Sequence, residues 1–199
     1  MKFPYSFVLL FSALCATAQV DQNALDQLKA ELLAEQVFDE YDLSDLVITD
    51  VVPSKASGLT HYYAQQRIQG IPIHGAVLNY SMKDEELLVR GNRFVSGLQS
   101  QDLVVTPQIN AEEALNRSLD HLKIPTQARS SELVPLGDFR WEWRDTDMFD
   151  EGIPVALKYW NTGDGLELIW ETAIQPHGSE HWWVLRSSAQ SGELLDQQD

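Results

Sequence analysis

The chain has 199 residues, with 30 acidic side chains against 14 basic ones and a formal net charge of −16. That balance excludes a nucleic-acid ligand, because the chain as a whole repels phosphate, and it disfavours anionic membranes for the same reason. A single cysteine, Cys15, excludes any disulfide within the chain.

Residues 1–18 read as a secretion signal. Lys2 supplies the positive start, residues 7–16 form a short apolar run, and Ala16-Thr17-Ala18 is a small-x-small cleavage site, so the mature chain is expected to begin at Gln19. The run is far short of the roughly 20 residues that cross a bilayer. Leu14 stands where lipidation of Cys15 would want Gly or Ala. Cleavage removes the cysteine, so the secreted chain must rely on its core.

A helix is expected over residues 21–38, with Leu25, Leu28, Leu32, Leu33 and Val37 on one stripe and Asp21 or Asn23 as cap. Residues 46–52 are a β-branched run between Ser44-Asp45 and Pro53-Ser54, read as a strand. Residues 60–68 alternate, Gln69-Gly70 turns, and 71–82 alternate again, which is a β-meander. A turn at 83–86 leads through 87–90 to a Gly91-Asn92 corner and Phe94-Val95. The polar stretch 96–106 divides the chain into modules at 19–104 and 105–199. Asn110 and Glu113 form a capping box for a helix to about Leu122, with Ala111, Ala114, Leu115, Leu119 and Leu122 inward. Pro125 stops that helix and residues 127–131 are loop. The rest is β, with strands over 155–160, 166–174 and 182–186 and a turn at Ser191-Gly192. The fold class is α+β, two small modules that each pack a helix on a curved antiparallel sheet.

Several side-chain groups invite a chemical reading. His177-Gly178-Ser179-Glu180-His181 matches an inverted zincin string, but zinc there needs both histidines on one helical face. Pro176, Gly178 and the strand character of Trp182-Trp183-Val184 place the string in a hairpin loop instead. The carboxylates from Asp145 to Asp150, with Glu151, could gather Ca²⁺, yet they lack the glycine and the fifth-position ligand of an EF-hand. A solvated loop accounts for them. The six tryptophans are expected mostly in a sheet core, with an exposed subset available to a partner or a glycan. His61, Tyr63 and Gln65 share one side of their strand, and Tyr62, Ala64 and Gln66 the other, as hydrogen-bonding positions within the meander. The sequons at Asn79 and Asn116 fall in a strand and a helix, away from loops. No catalytic, cofactor-binding or metal-binding residue is assigned.

The strings 45–50, Leu59-Thr60-His61-Tyr62-Tyr63 with Gln65-Gln66, Gly70-Ile71-Pro72-Ile73 and Gly91-Asn92-Arg93-Phe94, in that order, resemble the propeptide motif of secreted fungalysin- and thermolysin-type zinc metallopeptidases, closest to the fungalysin branch. The second half, a capped helix before a meander ending in Trp183-Val184-Leu185-Arg186, resembles a PepSY module. The resemblance implies a propeptide that assists folding of a catalytic domain, inhibits it, and is removed on activation. It implies a secreted or periplasmic monomer whose partner is the cognate catalytic domain, in cis or in trans. The His-Glu-x-x-His helix of such peptidases does not occur here, so no enzyme activity is expected of this chain and zinc belongs only to a downstream domain. The alternatives are a stand-alone secreted protease inhibitor or binding module of PepSY type, and an exported protein that binds glycan or peptide with tryptophans.

Overall fold

A computed structural model describes residues 22–84, 86–125, 132–144, 148–149 and 151–199. The expected secretion signal at 1–18, the expected loop at 127–131 and the carboxylates Asp145, Asp147 and Asp150 lie outside the described residues. In chain order the elements are α1 (Gln22–Ala34), β1 (Leu46–Ser54), β2 (Leu59–Ile68), β3 (Ile71–Lys83), β4 (Glu86–Asn92), α2 (Ala111–His121), β5 (Leu133–Gly137), β6 (Arg140–Trp143), β7 (Ile153–Asn161), β8 (Leu166–Ile174), β9 (Trp183–Ser188) and β10 (Leu194–Gln198). The class is α+β, helices packed on a large, curved and mostly antiparallel sheet.

The period-two runs form the strands expected of them. Gln69 and Gly70 both take left-handed backbone, φ 50° and 83°, as a two-residue hairpin turn requires. A Cβ on Gly70 would stand 3.2 Å from the Phe139 ring, so the turn is also a close approach between the two halves. The strand expected over 46–52 runs two residues further, and that expected over 155–160 begins at Ile153 and ends at Asn161.

Two cores form, each under one helix. Ala24, Leu25, Leu28 and Leu32 of α1 pack with Phe38, Leu43, Leu46, Ile48, Tyr62, Ala64, Leu78 and Tyr80. Ala114, Leu115 and Leu119 of α2 pack on Leu157, Tyr159, Leu168 and Trp170. Ile68, Ile71 and Ile73, at the tip of the β2–β3 hairpin, belong to the second core. Each fully buried leucine or isoleucine contributes roughly 1.5–3 kcal/mol. A single parallel register pair, Ile73 with Tyr159, joins the sheets into the order β1-β2-β3-β7-β8-β9-β10. The long β3 shares its second edge between β7 and β4, and β7 divides its second edge between β3 and β6.

α1 corrects the expected helix. It stops at Ala34, and Gln36 turns the chain with a φ of 58°. Val37, past the turn, is therefore 60% exposed rather than inward, while Phe38 folds back into the core; Leu33, still in the helix, is also 37% exposed. Asn23 lies inside the helix and is not its cap, and Asp21 falls outside the described residues. α2 starts as expected: Asn110 Oδ1 accepts from the Glu113 backbone N–H at 2.9 Å. Leu122, expected inward, is the C-cap and only half-buried. β9 begins at Trp183, which leaves Trp182 54% exposed.

The stretch 96–106 is strapped down along its length. The Gly97 and Leu98 N–H groups donate to the Asp42 carboxylate at 3.1 and 2.8 Å. The Leu166 N–H donates to Gln101 Oε1 at 2.9 Å, and the Tyr159 hydroxyl to Val104 O at 3.0 Å. Burial, and after it the neighbouring Tyr41, pushes the Tyr159 hydroxyl up to about 12, so it stays a donor.

Candidate functional site

The motif-like strings fold into polar fasteners. Asp42 is 2% exposed, and its carboxylate is held by backbone N–H groups from Asp39 as well as Gly97 and Leu98. Gln66 has no exposed surface. Its amide donates to Asp42 O and Val95 O at 2.9 and 2.8 Å and accepts from the Val95 N–H at 2.8 Å. Asp45 takes the Arg67 guanidinium at 2.7 Å on one oxygen and the Gly70 N–H at 2.6 Å on the other. Such charge-assisted bonds are the strong kind.

Gln65 has a separate task. Between Gln65 and Arg67 the β2–β3 register slips, and the extra residues of β3 bulge around Gly75, whose φ is 71°. A bulge frees carbonyls. The Gln65 amide nitrogen lies 2.8 Å from Ile73 O and 3.0 Å from Ala76 O and satisfies both. The bulge is what brings Ile73 to Tyr159 and His74 to the second half.

His74 arrives at a cluster of charges on the helix-free face of β7 to β9. Its Nδ1 lies 3.1 Å from Glu171, which also receives Lys158 at 2.5 Å and Arg186 at 2.9 Å. Arg186, whose side chain is 6% exposed, reaches Asp196 as well and lies over the Trp160 ring at 5.8 Å. Burial would raise the Glu171 carboxyl, but the hydrogen bonds from His74 and Lys158 and the Lys158 charge overcome it and hold the group down at about 2. The cluster is paired throughout and serves as a polar joint.

The helix-free face of β1 to β4 is open. Its rows, read across the register, are Val47-Gln65-Val77, Asp50-Tyr63-Asn79-Gly91 and Val52-His61-Ser81-Leu88. Tyr62, Ala64 and Gln66 face the core, as the alternation requires, and His61 bonds across to the Ser81 hydroxyl at 2.8 Å. Tyr63 and Val77 are 41% exposed, Val52 43% and Leu88 48%. Four large exposed side chains share this face, Tyr63 and Val77 on its central strands and Val52 and Leu88 on the flanking strands β1 and β4. Beside it lies a cleft of about 500 Å³ lined by Tyr63, Val77, Asn79, Arg90, Asn92 and Arg93, with Gly91 in its floor. A Cβ on Gly91 would come within 2.7 Å of Asn79 Oδ1, so glycine lets the Asn79 amide lie across the strand. The Asn79 sequon thus lies exposed on a strand beside this cleft, and Asn116 is half-buried within α2.

The other candidates resolve as follows. His177 and His181 sit in the loop between β8 and β9, both exposed. His181 pairs with Asp199 at 2.6 Å and stacks on Trp183. Among the described residues no three His, Cys, Asp or Glu side chains gather as a metal site. Trp143 and Trp170 are buried, Trp141 and Trp183 pack against the second core, Trp160 lies beneath Arg186, and Trp182 is exposed. Trp141 and Trp170 also line an apolar cleft of about 420 Å³ with Phe139, Pro107 and Pro135. Sequence reasoning missed the open face and the cleft. In the sequence Arg90 reads only as a strand residue and Arg93 only as part of a motif string.

Among the described residues no helix is long and apolar enough to cross a membrane. No curated protein matches the chain. Among solved structures it is similar to the Bacillus megaterium YpeB C-terminal domain, at 10% identity and a TM-score of 0.35, over 89% of this chain and 63% of that one. The chain thus spans less than two thirds of that structure's length. The Fungalysin/Thermolysin Propeptide Motif matches residues 44–88, which are β1 to β3 and the start of β4. That motif is a propeptide element and not a catalytic one. Residues 44–88 therefore carry a propeptide motif of the fungalysin/thermolysin kind, and the open sheet face is its exposed side.

Proposed function

We propose that this chain is the propeptide of a secreted zinc metallopeptidase of the fungalysin kind, which assists folding of the catalytic domain, inhibits it, and is removed on activation. The match of the propeptide motif to residues 44–88 carries the reading. In this reading residues 1–18 are a secretion signal, 19–104 the motif-bearing module and 105–199 a PepSY-like module. Each module has its own helix over a core, and the tip of the β2–β3 hairpin of the first reaches into the core of the second. The zinc belongs to the partner's catalytic domain, the protein acts outside the cytoplasm, and released propeptide is a monomer.

The physical basis is linkage. A domain that binds only the folded peptidase stabilises it by mass action. A covalent linker keeps the local concentration high, and cleavage ends that advantage, so inhibition falls. The test is kinetic. Mature chain (residues 19–199) is added at micromolar concentration to a fungalysin-type catalytic domain hydrolysing a peptide substrate. Saturable slowing is expected, relieved when the added chain is digested. An unchanged rate at all concentrations would contradict the reading.

A further inference from the structure

Arg90 and Arg93 are the two charged side chains that line the cleft beside the open sheet face. The chain carries 30 acidic and 14 basic side chains. Arg67, Arg117, Arg144, Lys158 and Arg186 are spent on ion pairs. Arg90 and Arg93 are exposed, and among the described residues no ion pair or side-chain hydrogen bond engages either.

The backbone holds them there. Asn79 pairs with Gly91 and Tyr80 with Val89, so Arg90 is the extra residue of a β-bulge. A bulge re-aims a side chain. Just beyond the strand, the Arg93 N–H donates to Val77 O at 3.1 Å, the Phe94 N–H to Asn92 Oδ1 at 2.9 Å, and the Phe94 ring packs edge-on to Phe38 in the core. The chain on either side of Arg93 is pinned, while its side chain meets solvent. Asp50, the acidic side chain in the same rows, accepts from its neighbour's N–H at 2.9 Å.

We infer that this face is a docking surface for the peptidase catalytic domain, taking an apolar centre against Tyr63, Val77 and Leu88 and carboxylates of the partner at Arg90 and Arg93. The inference rests on the propeptide reading above and adds which surface is used and what chemistry it selects. Charge complementarity commits it to an acidic patch. In a chain of net charge −16, two guanidiniums and no carboxylate line this cleft, so a partner without carboxylates there would leave them idle. Tyrosine and arginine at the edge of an apolar centre are the composition interfaces favour.

The experiment compares three forms of the mature chain for binding to a purified fungalysin-type catalytic domain by interferometry. They are the wild type, R90Q/R93Q, and K123E, which has the same net charge as the double variant but changes an exposed lysine beyond α2. Neither arginine side chain makes an ion pair or hydrogen bond among the described residues, so equal thermal midpoints are expected and are checked first. The double variant is expected to bind at least about tenfold more weakly, with a smaller dependence on salt, and K123E within about twofold of wild type. Equal binding by all three would overturn this docking surface and leave the propeptide reading standing. Absence of binding by the wild type would overturn both.

Discussion

Gln66 shows how much of the motif is spent on holding the chain together. Its amide satisfies Asp42 O and both backbone groups of Val95, from a position with no exposed surface. In Gln66→Leu three buried backbone groups lose their partner. A loss on the order of 3 kcal/mol is expected, measured as the shift in urea midpoint, and a loss under about 1 kcal/mol would mean water replaces the amide. Gln65 was legible as hydrogen-bonding, because a polar residue alternating with aromatics must bond somewhere. The identity of its acceptors was not, because they are created by a bulge at Gly75 that no period announces.

Among the elements, α2 was the easiest to read. Its Asn110 cap and inward alanines and leucines follow from local rules, and the cap bond forms as they require. Asn110→Ala should cost about 1 kcal/mol, with Asn110→Asp close to neutral, by thermal unfolding. The expected α1 runs on past its true C-terminal end because Val37 continues the 3.6-residue pattern beyond the point where Gln36 turns left-handed. Periodicity shows where a stripe is possible, not where the backbone leaves it. Glu171, on β8, makes the fold sensitive to acid. Glu171 titrates near 2 when folded against an ordinary value of 4.5. Its stabilising effect is therefore complete above about pH 4.5 and lost as the pH falls towards 2. Across that window the wild type should lose stability more steeply than Glu171→Gln, followed by far-ultraviolet circular dichroism. Parallel acid curves would place the linkage elsewhere.

For the whole molecule, the two helix-backed cores were legible and their union was not. The sheets join through one parallel register pair, Ile73 with Tyr159, and through His74 at Glu171. Such contacts depend on residues more than 80 positions apart in sequence and leave no local trace. The strap at 96–106 reads as a polar boundary, yet its backbone is bonded to both halves. Those bonds predict cooperative unfolding, so calorimetry should give one transition, and His74→Ala, which removes part of the joint, should lower the midpoint. Two resolved transitions would show that the halves melt separately. Whether the chain folds its peptidase is read from refolding. Denatured fungalysin-type catalytic domain is diluted into buffer with and without mature chain, and recovered peptidase activity is read after the chain has been digested away. Recovery is expected to rise with the chain present and to saturate near equimolar ratio. Equal recovery with and without the chain would contradict it, and inhibition without assisted folding would leave a stand-alone inhibitor as the description of this protein.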